Sequence, residues 1–335
     1  MRNESRELYN QYMAQIAKLN GVKSVAHKFT ATPSVQQTLE TRMQESSVFL
    51  SEINVVGVPE MQGEKIGLGI GSTIAARTNT SNNDRIPAQV GDMTPNGYQC
   101  VFTEFDTAVT YAKLDLWAKF PDFQTRLRDV ILRQQALDRI MIGFNGTSAA
   151  VETNRATNAM LQDVNKGWLQ QYRENAQARV FSEVVEGAET IEVGDGGDYA
   201  NLDALVTDAV NNLIAPWHAE RTDLVVILGR KLLADKYFPL INSDHAPTEQ
   251  LALDMLVSQK RVGGLQAVRA PYVPDGSMLI TPLDNLSIYY QEGSRRRHIE
   301  ENAKRSRIEN YESSNDAYVV EDYEAGCVVE NVTLM

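Results

Sequence analysis

Residues 121–146 constrain this chain more than any other stretch, because they read as one uninterrupted amphipathic helix. Phe123, Leu127, Val130, Ile131, Leu137, Ile140, Met141 and Phe144 recur mostly in helical steps, with one longer gap, and define an apolar face. Arg126, Arg128, Asp129, Arg133, Asp138 and Arg139 lie between them, with Asp122/Arg126 and Asp129/Arg133 spaced four apart for mutual support. Pro121 suits a first helical turn, and Asn145-Gly146 suits a left-handed C-cap. At about 1.5 Å per residue the rod is roughly 36 Å long, against an average helix of about 11–12 residues. Something has to pack along it.

Ahead of this rod, Leu8, Tyr12, Ile16 and Leu19 predict a helix from Glu4 that ends at Asn20-Gly21, its narrow stripe suited to a partner more than to a core. Lys28 to Pro33 is an extended, protease-accessible kind of segment. A second helical pattern runs from Ser34 to about Leu50, with Val35, Leu39, Met43 and Phe49 inward. From Ile53 to Thr110, glycines and prolines break the chain into short apolar pieces. These predict a long β-hairpin, with one strand in Lys65–Ala75 and its return in Tyr98–Lys113, where Val101, Thr103, Phe105, Thr107 and Val109 alternate. Such an arm cannot bury both faces by itself. Gly67-Leu68-Gly69-Ile70-Gly71 lacks the third glycine of a dinucleotide loop, and no helix follows it, so it reads as a thin strand close to another backbone.

Beyond the rod, a polar loop over Thr147–Thr157 leads into Met160–Tyr172, with Trp168 and Leu169 as anchors, and Asp195-Gly196-Gly197-Asp198 is a solvated turn without the ligand spacing of a calcium loop. The pattern then becomes α/β-like. A helix over Leu202–Ile214 precedes the apolar run Leu224–Leu228, a strand buried on both faces. Helices from Gly229 to Phe238-Pro239 and over Glu249–Lys260 lead to strands at Ala267–Ala270, Met278–Thr281 and Leu286–Tyr290, so that residues 200–290 form a compact mixed domain. Arg295-Arg296-Arg297-His298 and Lys304-Arg305-Ser306-Arg307 flank Glu300-Glu301. With acids interleaved and no stacking aromatics, they read as a subunit contact or solvated face. Final strands are expected at Ala317–Glu321 and Cys327–Leu334.

A formal net charge of −12, from 32 basic against 44 acidic residues, argues against sequence-independent nucleic-acid binding. Cys100 and Cys327 follow no metal or redox spacing and read as reduced core residues. No apolar run approaches the roughly 20 residues of a membrane span. His27, His218, His245 and His298 show no ligand spacing, and no nucleophile elbow or phosphate loop appears, so no metal, cofactor or catalytic residue is assigned. A soluble α/β enzyme built on residues 200–290 remains the alternative from another class.

Gln44-Glu45-Ser46-Ser47, Gly63-Glu64-Lys65-Ile66-Gly67, Leu114-Asp115-Leu116-Trp117-Ala118, Gly143-Phe144-Asn145-Gly146, Met160-Leu161-Gln162-Asp163-Val164 and Gly197-Asp198-Tyr199-Ala200 carry a resemblance along nearly the whole chain. Leu232 to Pro239, Asn285 to Tyr290 and Tyr318 to Tyr323 continue it. Together they resemble the major capsid proteins of peduovirus-like contractile-tailed bacteriophages. The resemblance implies an α+β chain with the Hong Kong ninety-seven-type capsid fold. Its parts would be an N-terminal helix over 1–29, an arm over 30–56, an extended hairpin loop over 57–112, a peripheral domain over 113–199 with the spine helix 121–146, an axial domain over 200–290, and a return over 291–335. The implied function is an icosahedral shell of pentamers and hexamers around double-stranded DNA, assembled in the bacterial host cytoplasm and ending in the virion. Implied partners are further copies of the chain, a scaffolding protein with protease activity, a portal protein, and the packaged DNA without sequence-specific binding; no membrane is involved. Lys28-Phe29-Thr30 looks like the family's processing region, which predicts cleavage near Phe29/Thr30. Candidate contacts between subunits are Arg126, Arg128, Arg133 and Arg139 on the outer face of the long helix, with Arg295, Arg296, Arg297, Arg305 and Arg307. The helix's apolar face is expected against the strands of Ala317–Leu334. An encapsulin-like compartment is the alternative within the same fold.

Overall fold

The computed structural model describes residues 1–66, 75, 77–82, 84, 95–117, 120, 122–241 and 260–335. Pro121, the Gly67–Gly71 run, His245, most of the first hairpin strand and nearly all of the expected helix over Glu249–Lys260 lie outside the described residues.

The chain opens with α1 (Asn3–Leu19), β1 (Phe29–Thr30), α2 (Pro33–Glu45), α3 (Val48–Glu52) and β2 (Asn54–Val58). The strands β3 (Gln62–Ile66) and β4 (Pro95–Gln99) pair antiparallel as the base of the hairpin. Next come β5 (Val101–Glu104), β6 (Thr107–Thr110), α4 (Tyr111–Trp117), the long helix α5 (Phe123–Asn145), α6 (Trp168–Asn175), β7 (Val180–Phe181) and β8 (Ile191–Val193). The α/β part holds α7 (Leu202–Leu213), α8 (Pro216–Ala219), β9 (Leu224–Leu228), α9 (Arg230–Ile241), β10 (Arg261–Val262), β11 (Leu265–Arg269) and β12 (Met278–Pro282). Last are β13 (Leu286–Gln291), β14 (Arg296–Asn302), β15 (Arg307–Val320), β16 (Cys327–Val329) and β17 (Val332–Leu334).

The long strand β15 is the axis of the larger sheet, pairing with β13, β14, β5 and β6, while β2 adds to β13 and β1 to β14. A second sheet runs β10-β11-β9-β12-β16-β7. Because strand side chains alternate between faces, this sheet divides two cores. Val225, Ile227, Leu279 and Val328 point to one, and Val226, Leu228, Ile280 and Cys327 to the other. Residues 200–290 are therefore not closed on themselves as the sequence pattern predicts. Strands β7 and β16 complete their sheet from outside that range, and β13 leaves it for the larger sheet.

Several boundaries move for local reasons. The expected single helix over Ser34–Leu50 splits at Ser46-Ser47, where the Leu50 amide points at Ser47 Oγ 3.5 Å away as an N-cap. On the hairpin's return, Val101, Thr103, Phe105, Thr107 and Val109 do face inward while Phe102, Glu104, Asp106, Ala108 and Thr110 are exposed. That run ends at Thr110, where α4 begins, and it joins β15 rather than the hairpin. The strand expected from Ala317 already begins at Arg307, because its inward positions include the polar Glu309, Glu312, Ser314 and Asp316. The stripe of α1 packs on its own subunit through Tyr9, Tyr12, Ile16 and Ala17, which meet Leu114, Leu127, Ile299 and Ile308. Cys100 and Cys327 are free and buried.

Helix α5 lays Leu132, Ala136, Ile140 and Phe144 against Met43, Phe49 and Leu50 from the arm and against Ile288, Tyr318 and Val320 from the larger sheet. Of the apolar face expected from sequence, Ile140 and Phe144 share this core with the C-terminal strands, Leu127 and Ile131 pack in the cluster of α1, and Val130 is exposed. Trp168 is the hub, its ring 5.3 Å from Phe144 and 5.5 Å from Tyr318 between centroids, with its indole N–H donating to the Ser287 carbonyl. The C-cap Gly146 is extended, at φ −63° and ψ 124°, rather than left-handed. Its glycine is needed for closeness: a Cβ there would lie 2.0 Å from the Asn165 carbonyl oxygen, and one on Gly143 would lie 2.2 Å from the Trp168 ring. Gly143→Ala should therefore destabilise the unassembled subunit by about 3 kcal/mol, the upper end of ordinary overpacking, as a lowered midpoint in thermal unfolding checks.

Candidate assembly surface and the charge cluster behind it

The nine arginines singled out from sequence range from exposed through half-buried to fully buried. Arg126 is exposed, clamped by its Nε to both carboxylate oxygens of Asp122 at 2.8 Å, and stacked 4.5 Å from the centroid of the Phe120 ring. Asp129 pairs with its neighbour Arg128 at 2.8 Å rather than with Arg133. Arg133 is exposed, and Val130, 56 % exposed, lies between Arg126 and Arg133 on the same helical face. An apolar side chain set between two cations on a rigid helix is suited to a protein contact. Arg296 and Arg305 are also exposed. Arg307 is half-buried and donates to Glu309 at 2.6 Å, and half-buried Arg297 donates to Asn310 at 2.7 Å and to the Tyr12 hydroxyl at 3.2 Å.

Arg139 and Arg295 are not surface residues. Arg139, placed on the outer face by its charge, is 2 % exposed on the inner face of α5. Its guanidinium grips Asp316 of β15 at 3.0 and 3.1 Å and pairs with Glu40 of α2. Arg295 reaches the same Glu40 at 2.8 Å and Glu312 of β15 at 2.7 and 2.9 Å. Gln135 closes the circuit, accepting from Arg295 at 2.7 Å and donating to Glu312 at 3.1 Å. The spacing that could have revealed this is the gap in the helix pattern. Leu132, Gln135, Ala136, Arg139 and Ile140 step by three, one, three and one, which is an inward stripe with two polar members. Gln36, Glu40 and Met43 do the same in α2.

Three buried carboxylates face two guanidiniums. Burial alone would raise each carboxyl, but Glu40 is touched by both arginines and its carboxyl is pulled below the ordinary range. Glu312 is likewise held down to about 2, the attraction of Arg295 outweighing desolvation. Asp316, with one arginine and Glu40 nearby, is pushed up by burial. A depressed carboxyl stabilises the fold above its unfolded value of about 4.3 and loses that contribution as pH falls through its folded value. The opposite sign holds for Asp316, so only a difference measurement isolates Glu312. In urea unfolding, the stability advantage of the native subunit over Glu312→Gln should shrink as pH drops from 5 toward 3.

Desolvated ion pairs contribute little net stability, yet removing one partner strands a buried charge at a cost of about 3–5 kcal/mol. Arg139→Met should lower unfolding stability by that order. Arg126→Ala, which opens only an exposed pair, should change it by less than about 1 kcal/mol. Urea denaturation of both variants makes the comparison.

Residues 8–332 match the family model of the phage major capsid protein, P2 family. The chain is 54 % identical over 340 residues to the capsid proteins of Escherichia phage P2, covering 99 % of this chain and 95 % of that one. Its structure is similar to a chain of the satellite phage P4 procapsid that includes a size determination protein, with a TM-score of 0.83, 52 % identity, and coverage of 100 % and 99 %. The capsid of an empty GTA particle shares the fold at 16 % identity, with a TM-score of 0.53 over 86 % and 90 % of the two chains. The architecture is the Hong Kong ninety-seven-type capsid fold, and the relatives are structural shell proteins, which sets aside the enzyme reading. This chain belongs to the P2 family of phage major capsid proteins.

Proposed function

We propose that copies of this chain form the pentamers and hexamers of an icosahedral head that encloses double-stranded DNA. The observation that carries this is identity of 54 % along 99 % of the chain to a phage capsid protein. Assembly is directed by an internal scaffolding protein with protease activity in the host cytoplasm, and a portal protein takes one vertex. The exposed face of α5, with Arg126, Val130 and Arg133, meets a neighbouring copy, as do Arg296 and Arg305. During maturation the chain is cut between Phe29 and Thr30, and residues 1–29 are lost. An adjacent subunit supplies the second face that the two-stranded pair β3–β4 lacks.

Co-expression with the scaffolding protein, followed by electron microscopy, tests the reading: native chains should give closed particles of uniform size. The double variant Arg126→Glu/Arg133→Glu should fold with an unchanged melting midpoint but give few or no particles. Subunits from mature virions should begin at Thr30 by mass spectrometry; retention of residues 1–29 would remove processing from the scheme.

A further inference from the structure

We infer that α1 is a latch that keeps the Phe29–Thr30 bond closed to proteolysis until that helix leaves its seat. The inference rests on the processing reading above and concerns its regulation. Sequence pattern makes Lys28–Pro33 look open to a protease, but the fold holds it. Phe29 is 9 % exposed within an apolar cluster shared with α1. Phe29 and Thr30 pair with Arg297 and Arg296 of β14. The backbone is tied on both sides of the bond: the Ile299 amide donates to the Val25 carbonyl at 3.0 Å, and the Ala31 amide donates to the Arg295 carbonyl at 2.9 Å. A protease takes its substrate as an accessible extended strand, so a strand already paired, with a buried side chain, is cut only from a locally opened state.

Geometry decides which end opens. Downstream, α2 is fixed by Glu40 in the buried charge cluster and by Gln36, which donates to the Gln291 carbonyl at 3.0 Å and accepts from the Gly293 amide at 2.8 Å. Upstream, α1 is held by Tyr9, Tyr12, Ile16 and Ala17 in a cluster distinct from the two main cores. Beyond its apolar contacts it is held by polar ties alone: Arg6 donates to Glu301 at 2.7 and 3.0 Å in a clamp beside the Tyr111 hydroxyl, the Arg2 amide donates to Asp115 at 2.9 Å, and Arg297 donates to the Tyr12 hydroxyl at 3.2 Å. Opening must therefore begin at α1 and unzip toward Ala31, leaving both main cores intact.

Chymotrypsin, which cuts after exposed phenylalanine, tests this on the full chain without the phage protease, with the fragment beginning at Thr30 followed by mass spectrometry. The native chain should be cut after Phe29 at least tenfold more slowly than a free peptide of residues 22–36. Ile16→Ala should raise that rate at least tenfold while Trp168 and Tyr318 stay uncut, and Leu19→Ala, on the exposed side of α1, should leave it unchanged. Glu301→Gln, which loosens the clamp without touching a core, should raise it about threefold. Cleavage of the native chain at the peptide's rate, or an unchanged rate in both Ile16→Ala and Glu301→Gln, would overturn the inference. Failure of processing itself would show separately, as virion subunits that retain residues 1–29.

Discussion

The rest of the subunit is arranged around one buried electrostatic knot. Arg139 from the long helix and Arg295 from the β13–β14 connection converge on Glu40 from the arm, with Asp316 and Glu312 of β15 completing the pairing. Apolar contacts between a helix, an arm and a sheet tolerate sliding, whereas forked guanidinium–carboxylate pairs fix register and angle. The cluster gives up desolvation energy and supplies a single relative placement of three elements far apart in sequence. The exposed face of the long helix is in turn presented at a fixed angle.

Much of this was legible from residues alone. Helices with clear periodicity, such as α1 and α7, and the run Leu224–Leu228 stand where the pattern places them. The alternation from Val101 to Val109 correctly names the inward side chains. What escaped is chemistry that runs against patterning. A charged residue is assigned to solvent by default, so Arg139 and Arg295 were placed outside, and the polar half of β15 concealed a fourteen-residue strand. Arg139 lies 99 positions from Glu40 and 177 from Asp316, and no local window contains them.

The buried and the exposed arginines also clarify how one residue type serves two ends in a shell protein. Inside, Arg139 and Arg295 are saturated by hydrogen bonds and determine shape. Outside, Arg126 and Arg133 are exposed on either side of Val130, and ion pairs in such positions are individually weak. In the proposed assembly, a rigid interior with weak individual surface contacts lets errors at the surface be undone.

The six-stranded sheet has a consequence for how the two cores are completed. Strand β16 sits between β12 and β7 and sends Val328 into one core and Cys327 and Val329 into the other. Every partner in that sheet precedes it in the chain, so the sheet is completed by a late strand. Without β16, β12 keeps an open edge and each core lacks a side chain, so the pairing of this one short strand finishes both cores together.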